Sequence, residues 1–150
     1  MKPLFVLLIT FIISLLVIYL GTGLMAFSIS GKVAMSVMLL FTAYGHFVFS
    51  KGMTLMIPDF IPYKLHVVYL TGIIEIGAAT GLLIPDIERL VSWLLILFFI
   101  VIIPANIKAA VNHIDYQKGN FEGRGPAYLW FRIPLQLFFI SWVYFFGISI

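Results

Sequence analysis

The chain has 150 residues, of which 63% are hydrophobic and 10% charged, and its mean hydropathy of +1.14 excludes a water-soluble domain of this size. The net charge of +3 does not indicate a nucleic-acid partner, because the nine basic residues are spread along the chain and form no run. The absence of cysteine excludes disulfides, thiolate metal ligands and cysteine nucleophiles. This composition predicts an integral membrane protein.

Several apolar runs are long enough to cross a bilayer, since a helical span takes about 20 apolar residues. The predicted spans are residues 3–27, 33–50, 65–84, 89–111 and 127–149. The first is expected to be an uncleaved helix, because its apolar run is too long for a signal peptide and no small-residue cleavage site follows. The sequence therefore predicts an all-α membrane protein, a bundle of about five transmembrane helices in one polytopic domain over residues 1–150.

Segments rich in glycine, proline and polar residues separate these spans. They are SISGK (28–32), IPDFIPYK (57–64), PDIER (85–89) and NHIDYQKGNFEGRGP (112–126). Asp86 is expected to cap the fourth helix, with Glu88 in its first turn. The segment 50–64 is oily but too short to span, and Pro58 and Pro62 should prevent one long helix there. It is expected to be an interfacial anchor or a lid over the bundle.

Basic residues predict the orientation. With the N-terminus inside, most of them lie on the cytoplasmic side, namely Lys2, Lys51, Lys64, Lys108, Lys118, Arg124 and Arg132. Only Lys32 and Arg89 lie outside. The positive-inside rule thus predicts a cytoplasmic N-terminus and an outer C-terminus, with the bacterial cytoplasmic membrane as the expected location.

Glu75 is a carboxylic acid in the middle of the third predicted span. Its helical neighbours at three and four residues are all small, namely Thr71, Gly72, Ala78 and Ala79. Small residues allow close helix contact, so Glu75 should point into the bundle. An ionisable group at membrane depth is costly unless paired or neutralised, which makes it a functional-site candidate. The alternative is a protonated or hydrogen-bonded glutamate that only fixes helix packing.

Polar residues on neighbouring spans are expected to join Glu75 in a ligand-binding cavity that opens to the cytoplasm. They are His46, Asn106, Arg132 and Gln136. Each also has a structural interpretation: His46 can bond a helix-end carbonyl, Asn106 can satisfy carbonyls freed by a proline, and Arg132 can snorkel. One histidine and one carboxylate are too few for a metal site.

Other positions in these spans are expected to shape the bundle. Gly45 and Gly72 should permit close helix contact beside His46 and Glu75. Pro104, followed by Ala105, should kink the fourth helix, since it cannot donate a hydrogen bond to Ile100.

Three motifs in order carry a resemblance to a known family. GHFVFSKGMTLMIPDFIP, LTGIIEIGAATGLLIP and IIPANIKAA resemble the DoxX-like membrane proteins, over residues 33–111 and more weakly over 127–150. The resemblance implies a four-helix core, here extended by an extra N-terminal helix. It carries over to His46, Glu75 and the Pro104-Ala105-Asn106 motif. Arg132 and Gln136 rest only on their positions on the last helix.

The resemblance leaves two classes of function open. Some DoxX relatives are subunits of membrane oxidoreductase systems, including thiosulfate–quinone chemistry, and others are chaperones for membrane-receptor assembly. The first class predicts a lipophilic ligand, such as a quinone, in the bundle and a membrane redox partner. The second predicts a scaffold that engages a transmembrane client. Membrane lipid surrounds the chain in both cases. Without cysteine or a nucleotide-binding loop, a self-contained reductase is not expected.

Overall fold

The computed structural model describes residues 2–150, which contain seven α-helices and no β-strand. The helices are Lys2–Thr22 (α1), Phe27–Val48 (α2), Ser50–Met56 (α3), Lys64–Gly81 (α4), Glu88–Val101 (α5), Ile103–Val111 (α6) and Leu129–Tyr144 (α7). A 3₁₀ turn, Pro126–Tyr128, precedes α7, and a π-helical turn, Phe145–Ser149, follows it. The prediction of an all-α protein is confirmed.

Four helical segments are long and apolar enough to cross a membrane. They are Lys2–Thr22, Phe27–Val48, Glu88–Val111 and Pro126–Ser149. The chain is therefore a helical bundle with the features of an integral membrane protein. Helix α4 is 18 residues long, but Lys64, His66 and Glu75 lower its mean hydropathy and set it apart from these four.

The apolar core lies between α2, α4, α5 and α7. Its fully buried side chains include Met35, Leu39, Leu82 and Leu95. Helix α1 packs on the outside of this group and buries only Leu7. Most of the surface of α1 is apolar and exposed, as expected for a lipid-facing helix.

The predicted break at SISGK (28–32) is wrong, because α2 already begins at Phe27. Tertiary contacts hold this segment helical. Trp142 Nε1 donates a 3.0 Å hydrogen bond to the Gly31 carbonyl, and Lys32 forms a 2.7 Å ion pair with Glu88 at the start of α5. The connection between α1 and α2 is the shorter segment 23–26, where Gly23 has a φ of 72°.

Helix α5 begins at Glu88, as expected, but Asp86 does not cap it. The Ile84 carbonyl instead accepts hydrogen bonds from the backbone N–H groups of Ile87, at 3.2 Å, and Glu88, at 2.9 Å. These bonds form a tight turn after α4 that leads into α5. The Asp86 cap was therefore a wrong prediction, since backbone groups of the turn replace it.

The fourth predicted span is interrupted near Pro104, where a kink was expected. Helix α5 ends at Val101 and α6 begins at Ile103, with Pro104 in the first turn of α6. Proline lacks a backbone N–H and its ring displaces the preceding turn, so the fourth apolar run forms two helices.

The oily segment folds back across one end of the bundle. Helix α3 ends at Met56, two residues before Pro58, which confirms that proline limits its length. Gly52 of α3 lies directly against the Tyr116 carbonyl, where a side chain would clash with backbone. The segments 51–64 and 112–126 thus lie together, as their predicted common side requires.

A charged cluster fastens the end of this segment to the bundle. Lys108 Nζ donates to the Ile57 carbonyl and to Asp59 Oδ1, both at 2.8 Å, and Lys64 Nζ lies 2.7 Å from the same oxygen. Hydrogen bonds from Lys108 and then Lys64 lower the pKa of Asp59 from 3.8 to about 2. We call Asp59, Lys64 and Lys108 the latch.

The lowered pKa of Asp59 indicates how the segment 57–63 responds to acid. Because the folded-state pKa is depressed, the contribution of Asp59 is fully present above pH 3.8 and is lost as the pH falls through about 2. We therefore expect the exchange protection of the amides in 57–63, relative to their intrinsic rates, to stay constant from neutral pH to pH 4 and to fall toward pH 2, and Asp59→Asn to lower it at neutral pH. Asp86→Asn is the control, since Asp86 forms no ion pair within the described residues. Equal exchange in both variants would contradict the latch.

Candidate functional site

The polar residues predicted to share one cavity form two groups. In the first, His46 of α2 faces Glu75 of α4, with 3.5 Å between Nε2 and Oε2. In the second, Arg132 Nη1 donates a 2.9 Å hydrogen bond to Asn106 Oδ1. None of the hydrogen bonds or ion pairs found within residues 2–150 joins the two groups.

Helices α2 and α4 approach closely at Gly72. A Cβ added there would lie 2.9 Å from His46 Cβ and 3.3 Å from the Phe47 ring. Only glycine therefore lets α2 lie this close to α4, and the close contact predicted for Gly72 is present. At Gly45 an added Cβ would lie 3.7 Å from the Met53 methyl, which is an ordinary contact. The approach beside His46 therefore depends on Gly72 and not on Gly45.

The imidazole of His46 is held from its Nδ1 side. Nδ1 lies 3.1 Å from the Val68 carbonyl oxygen and 3.0 Å from Thr71 Oγ1. The Thr71 hydroxyl also donates to the Val68 carbonyl at 2.8 Å. These contacts with one turn of α4 orient the ring so that Nε2 points at the Glu75 carboxyl group.

The contacts on Nδ1 determine which protons the pair can hold. If Nδ1–H donates to the Val68 carbonyl, Nε2 of a neutral ring is an acceptor, and a protonated Glu75 can donate to it. If the Thr71 hydroxyl turns away from the Val68 carbonyl and donates to Nδ1 instead, Nε2 of a neutral ring carries the proton and points toward the carboxyl group. In the structure Nε2 and Oε2 face each other at 3.5 Å without a hydrogen bond between them. In either arrangement the pair offers one donor and one acceptor to a third group.

Glu75 is buried without a complete set of hydrogen bonds. It is 5% exposed, and its Oε2 has no hydrogen-bond partner within the described part of the chain. A buried polar atom without a partner costs about 1–3 kcal/mol of stability. Native structures keep few such atoms. The hydroxyls of Ser30 and Ser36 are also buried without a partner, but of the three atoms only Oε2 faces another ionisable side chain, that of His46; this makes Oε2 the candidate for contact with a ligand.

The second group joins the last helix to the broken fourth run. Besides Asn106, the Arg132 guanidinium lies over the Tyr128 ring, 5.2 Å from its centroid. Gln136 is buried, and its Nε2 donates a 2.8 Å hydrogen bond to the Phe99 carbonyl near the end of α5. Gln136 thus satisfies a carbonyl near the helix break, a role that the sequence suggested for Asn106. Ala105 lies half-buried in the first turn of α6.

Thr71 is the member of the first group that sequence reasoning placed only on a packing face. Its position four residues before Glu75, on the same side of α4, was the available signal. No local pattern could indicate the Val68 carbonyl or Tyr116, because their contacts depend on how distant segments meet. Within residues 2–150, no group of three histidine or carboxylate side chains could hold a metal ion.

An apolar groove lies between α4 and α5. Ile74, which lines it, precedes Glu75 in the sequence. The groove has a volume of about 180 Å³ and is lined by Ile74, Gly77 and Ala78 of α4 and by Val91 and Leu94 of α5, among others. A second space, near Gly31, is only about 10 Å³. None of the five predicted ligand-binding residues lines either space, so their shared cavity stays a prediction.

Comparison with known proteins identifies a family. No curated protein and no solved structure matches the chain. Residues 35–147 match a family described as Domain of unknown function (DUF8561). The match begins within α2 and contains both polar groups, whereas α1 lies outside it. The chain therefore belongs to the DUF8561 family.

Proposed function

We propose that the chain is a DoxX-like membrane protein that binds a lipophilic carbonyl compound, such as a quinone, beside His46 and Glu75. It would act as the membrane subunit or accessory of a redox partner. The observation that carries this proposal is the buried, unpartnered Oε2 of Glu75, 3.5 Å from His46 Nε2. A carbonyl oxygen of the ligand can accept the proton that this pair holds.

The proposal includes five membrane spans, with α4 as the third. Helix α4 begins at the latch and ends at Gly81, which contacts Val91 of α5 near the Lys32–Glu88 pair. It therefore runs from one end of the bundle to the other. Its 18 residues correspond to about 27 Å of helix, close to the thickness of the hydrocarbon core. In this arrangement the DoxX-like four-helix core consists of α2, α4, α5 with α6, and α7. Helix α1 is the extra N-terminal helix.

Charge at the two ends supports the proposed orientation. The segments 51–64 and 108–132 carry six basic and three acidic side chains, whereas 22–32 and 82–92 carry two of each. The positive-inside rule places the more basic end in the cytoplasm. The latch then faces the cytoplasm, the C-terminus lies outside, and the bacterial cytoplasmic membrane is the proposed location.

The residues of the site have separate roles in this mechanism. Reduction of a quinone consumes two electrons and two protons, and the electrons come from the redox partner. Glu75 or His46 would hydrogen-bond one ligand carbonyl and supply one of the two protons there, and water at the other carbonyl would supply the second. Thr71 and the Val68 carbonyl hold the imidazole in place. The apolar groove at Ile74 and Ala78 can accommodate a hydrocarbon tail.

A second function, a scaffold for a transmembrane client, is favoured by one observation. Gly77 has no atom within 4 Å of the position that a Cβ would occupy, and it lines the apolar groove. A client helix can approach closely at such a glycine. This function needs no proton on Glu75 and no bound small molecule.

Bound small molecules distinguish the two functions. The wild type, Glu75→Ala and the control Asp86→Ala would be purified in mild detergent and extracted with organic solvent, and the extracts identified by mass spectrometry. We expect a quinone in the wild type and in Asp86→Ala, and its loss in Glu75→Ala. A folded wild type that carries no quinone but retains a membrane protein would favour the scaffold.

A further inference from the structure

Two arginines at the basic end of the bundle share one aromatic ring. Arg124 Cζ lies 5.4 Å and Arg132 Cζ 5.2 Å from the centroid of the Tyr128 ring. Arg132 also lies 5.9 Å from the centroid of the Tyr116 ring. Cation–π contacts hold both guanidinium groups near Tyr128. Two positive charges are therefore gathered at one place.

Carboxylates do not neutralise these charges. Within residues 2–150, no acidic side chain forms an ion pair with Arg124 or Arg132. The acidic side chains at this end form hydrogen bonds or ion pairs with other groups. Asp59 belongs to the latch, Asp115 accepts the backbone N–H groups of Gln117 and Lys118, and Glu122 accepts a hydrogen bond from Asn120.

Most of the hydrogen-bond donors on the two arginines are available. A guanidinium has five N–H groups, and the hydrogen bond of Arg132 to Asn106 uses one of its nitrogens. Arg124 is exposed and Arg132 is half-buried. Guanidinium groups match the oxygen atoms of a phosphate group in pairs, so the donors suit this anion.

Exposed aromatic residues lie close to the arginines in the sequence. Trp130, two residues before Arg132, is 87% exposed, and Phe121 is 63% exposed. Exposed tryptophan at the end of an apolar helix is typical of the membrane–water interface. In a membrane-spanning bundle, this position corresponds to the depth of phospholipid phosphates.

We propose that Arg124, Arg132, Tyr116 and Tyr128 form a binding site for the phosphate of an anionic phospholipid. The two arginines bind the phosphodiester oxygens, the tyrosine rings hold the guanidinium groups in place, and the acyl chains lie along α7. Anionic lipids of the cytoplasmic leaflet attract basic residues at this depth. The site is separate from the His46–Glu75 pair, so its test does not depend on the quinone.

Native mass spectrometry with defined lipids tests this site. The delipidated protein would be titrated with phosphatidylglycerol and with phosphatidylcholine, using wild type, Arg124→Gln, Arg124→Gln/Arg132→Gln and the control Lys51→Gln/Lys118→Gln. The control removes the same charge from the same end. We expect selective binding of phosphatidylglycerol, weakened about tenfold or more in the double arginine variant and nearly unchanged in the lysine variant.

Several outcomes would overturn the proposal. They are equal weakening by the arginine and lysine variants, equal binding of both lipids, and displacement of the lipid by millimolar inorganic phosphate, which would assign the site to a free anion. Far-UV circular dichroism would check folding. If the double variant does not fold, Arg124→Gln alone decides, because the side chain of Arg124 is exposed and makes no hydrogen bond within the described residues; we expect it to weaken phosphatidylglycerol binding severalfold, and wild-type binding would overturn the site.

Discussion

Gly72→Ala is expected to destabilise the bundle, whereas Gly77→Ala on the same helix is expected to raise its stability slightly, by up to about 1 kcal/mol, because alanine is the better helix former. The added Cβ at position 72 would lie 2.9 Å from His46 Cβ, and at position 77 it would meet no atom within 4 Å. Overpacking of this kind costs about 1–3 kcal/mol. Both variants make the same chemical change in α4, so their difference measures the contact with α2.

Thermal unfolding in detergent provides the measurement for this pair, with tryptophan fluorescence as the signal from the three tryptophans. The Gly72 variant should unfold at a lower temperature than the wild type and should also retain less ligand, because His46 must move. Equal unfolding temperatures for the two variants would show that α2 and α4 do not meet at Gly72.

Glu75→Leu is expected to stabilise the protein and remove its function. Oε2 is buried and lacks a hydrogen-bond partner, so an apolar side chain of similar size should raise the free energy of unfolding by about 1–3 kcal/mol. His46 keeps its contacts with the Val68 carbonyl and with Thr71 in this variant. Ligand retention should be lost, since leucine neither donates nor accepts a hydrogen bond.

Glu75→Gln tests whether the function needs the acidic proton of Glu75 or only the shape of its side chain. It keeps the length and the hydrogen-bonding capacity of glutamate but cannot release a proton. We expect a folded protein that binds the ligand more weakly and does not support its reduction. If Leu and Gln both preserve function while lowering stability in detergent, Glu75 only fixes helix packing.

The approximate positions of most helices follow from the sequence, because a membrane span needs a long run of apolar residues. The break at Pro104 also follows from chemistry within the chain. The start of α2 does not. Gly31 is a weak helix former, and it is helical here where Trp142 and Phe146, more than 100 residues away, contact it. Such tertiary contacts outweigh local propensity and leave no local signal.

The candidate site was only partly predictable for the same reason. The small residues around Glu75 indicate that it faces a neighbouring helix, and the structure places His46 opposite it. Sequence alone could not separate this pair from Arg132 and Asn106, since both groups lie on polar positions of neighbouring helices. The division depends on helix α2 meeting α4 at Gly72, while α6 meets α7 at the Arg132–Asn106 bond.

In the proposed mechanism, Glu75 holds a proton that a lipophilic carbonyl ligand accepts as a hydrogen bond. Infrared difference spectroscopy on the protein in nanodiscs, with and without added ubiquinone, measures this directly. We expect a carboxylic acid C=O band that shifts when ubiquinone binds and is missing in Glu75→Gln. A Glu75 band that ubiquinone leaves unchanged, or no such band with or without ubiquinone, would contradict it.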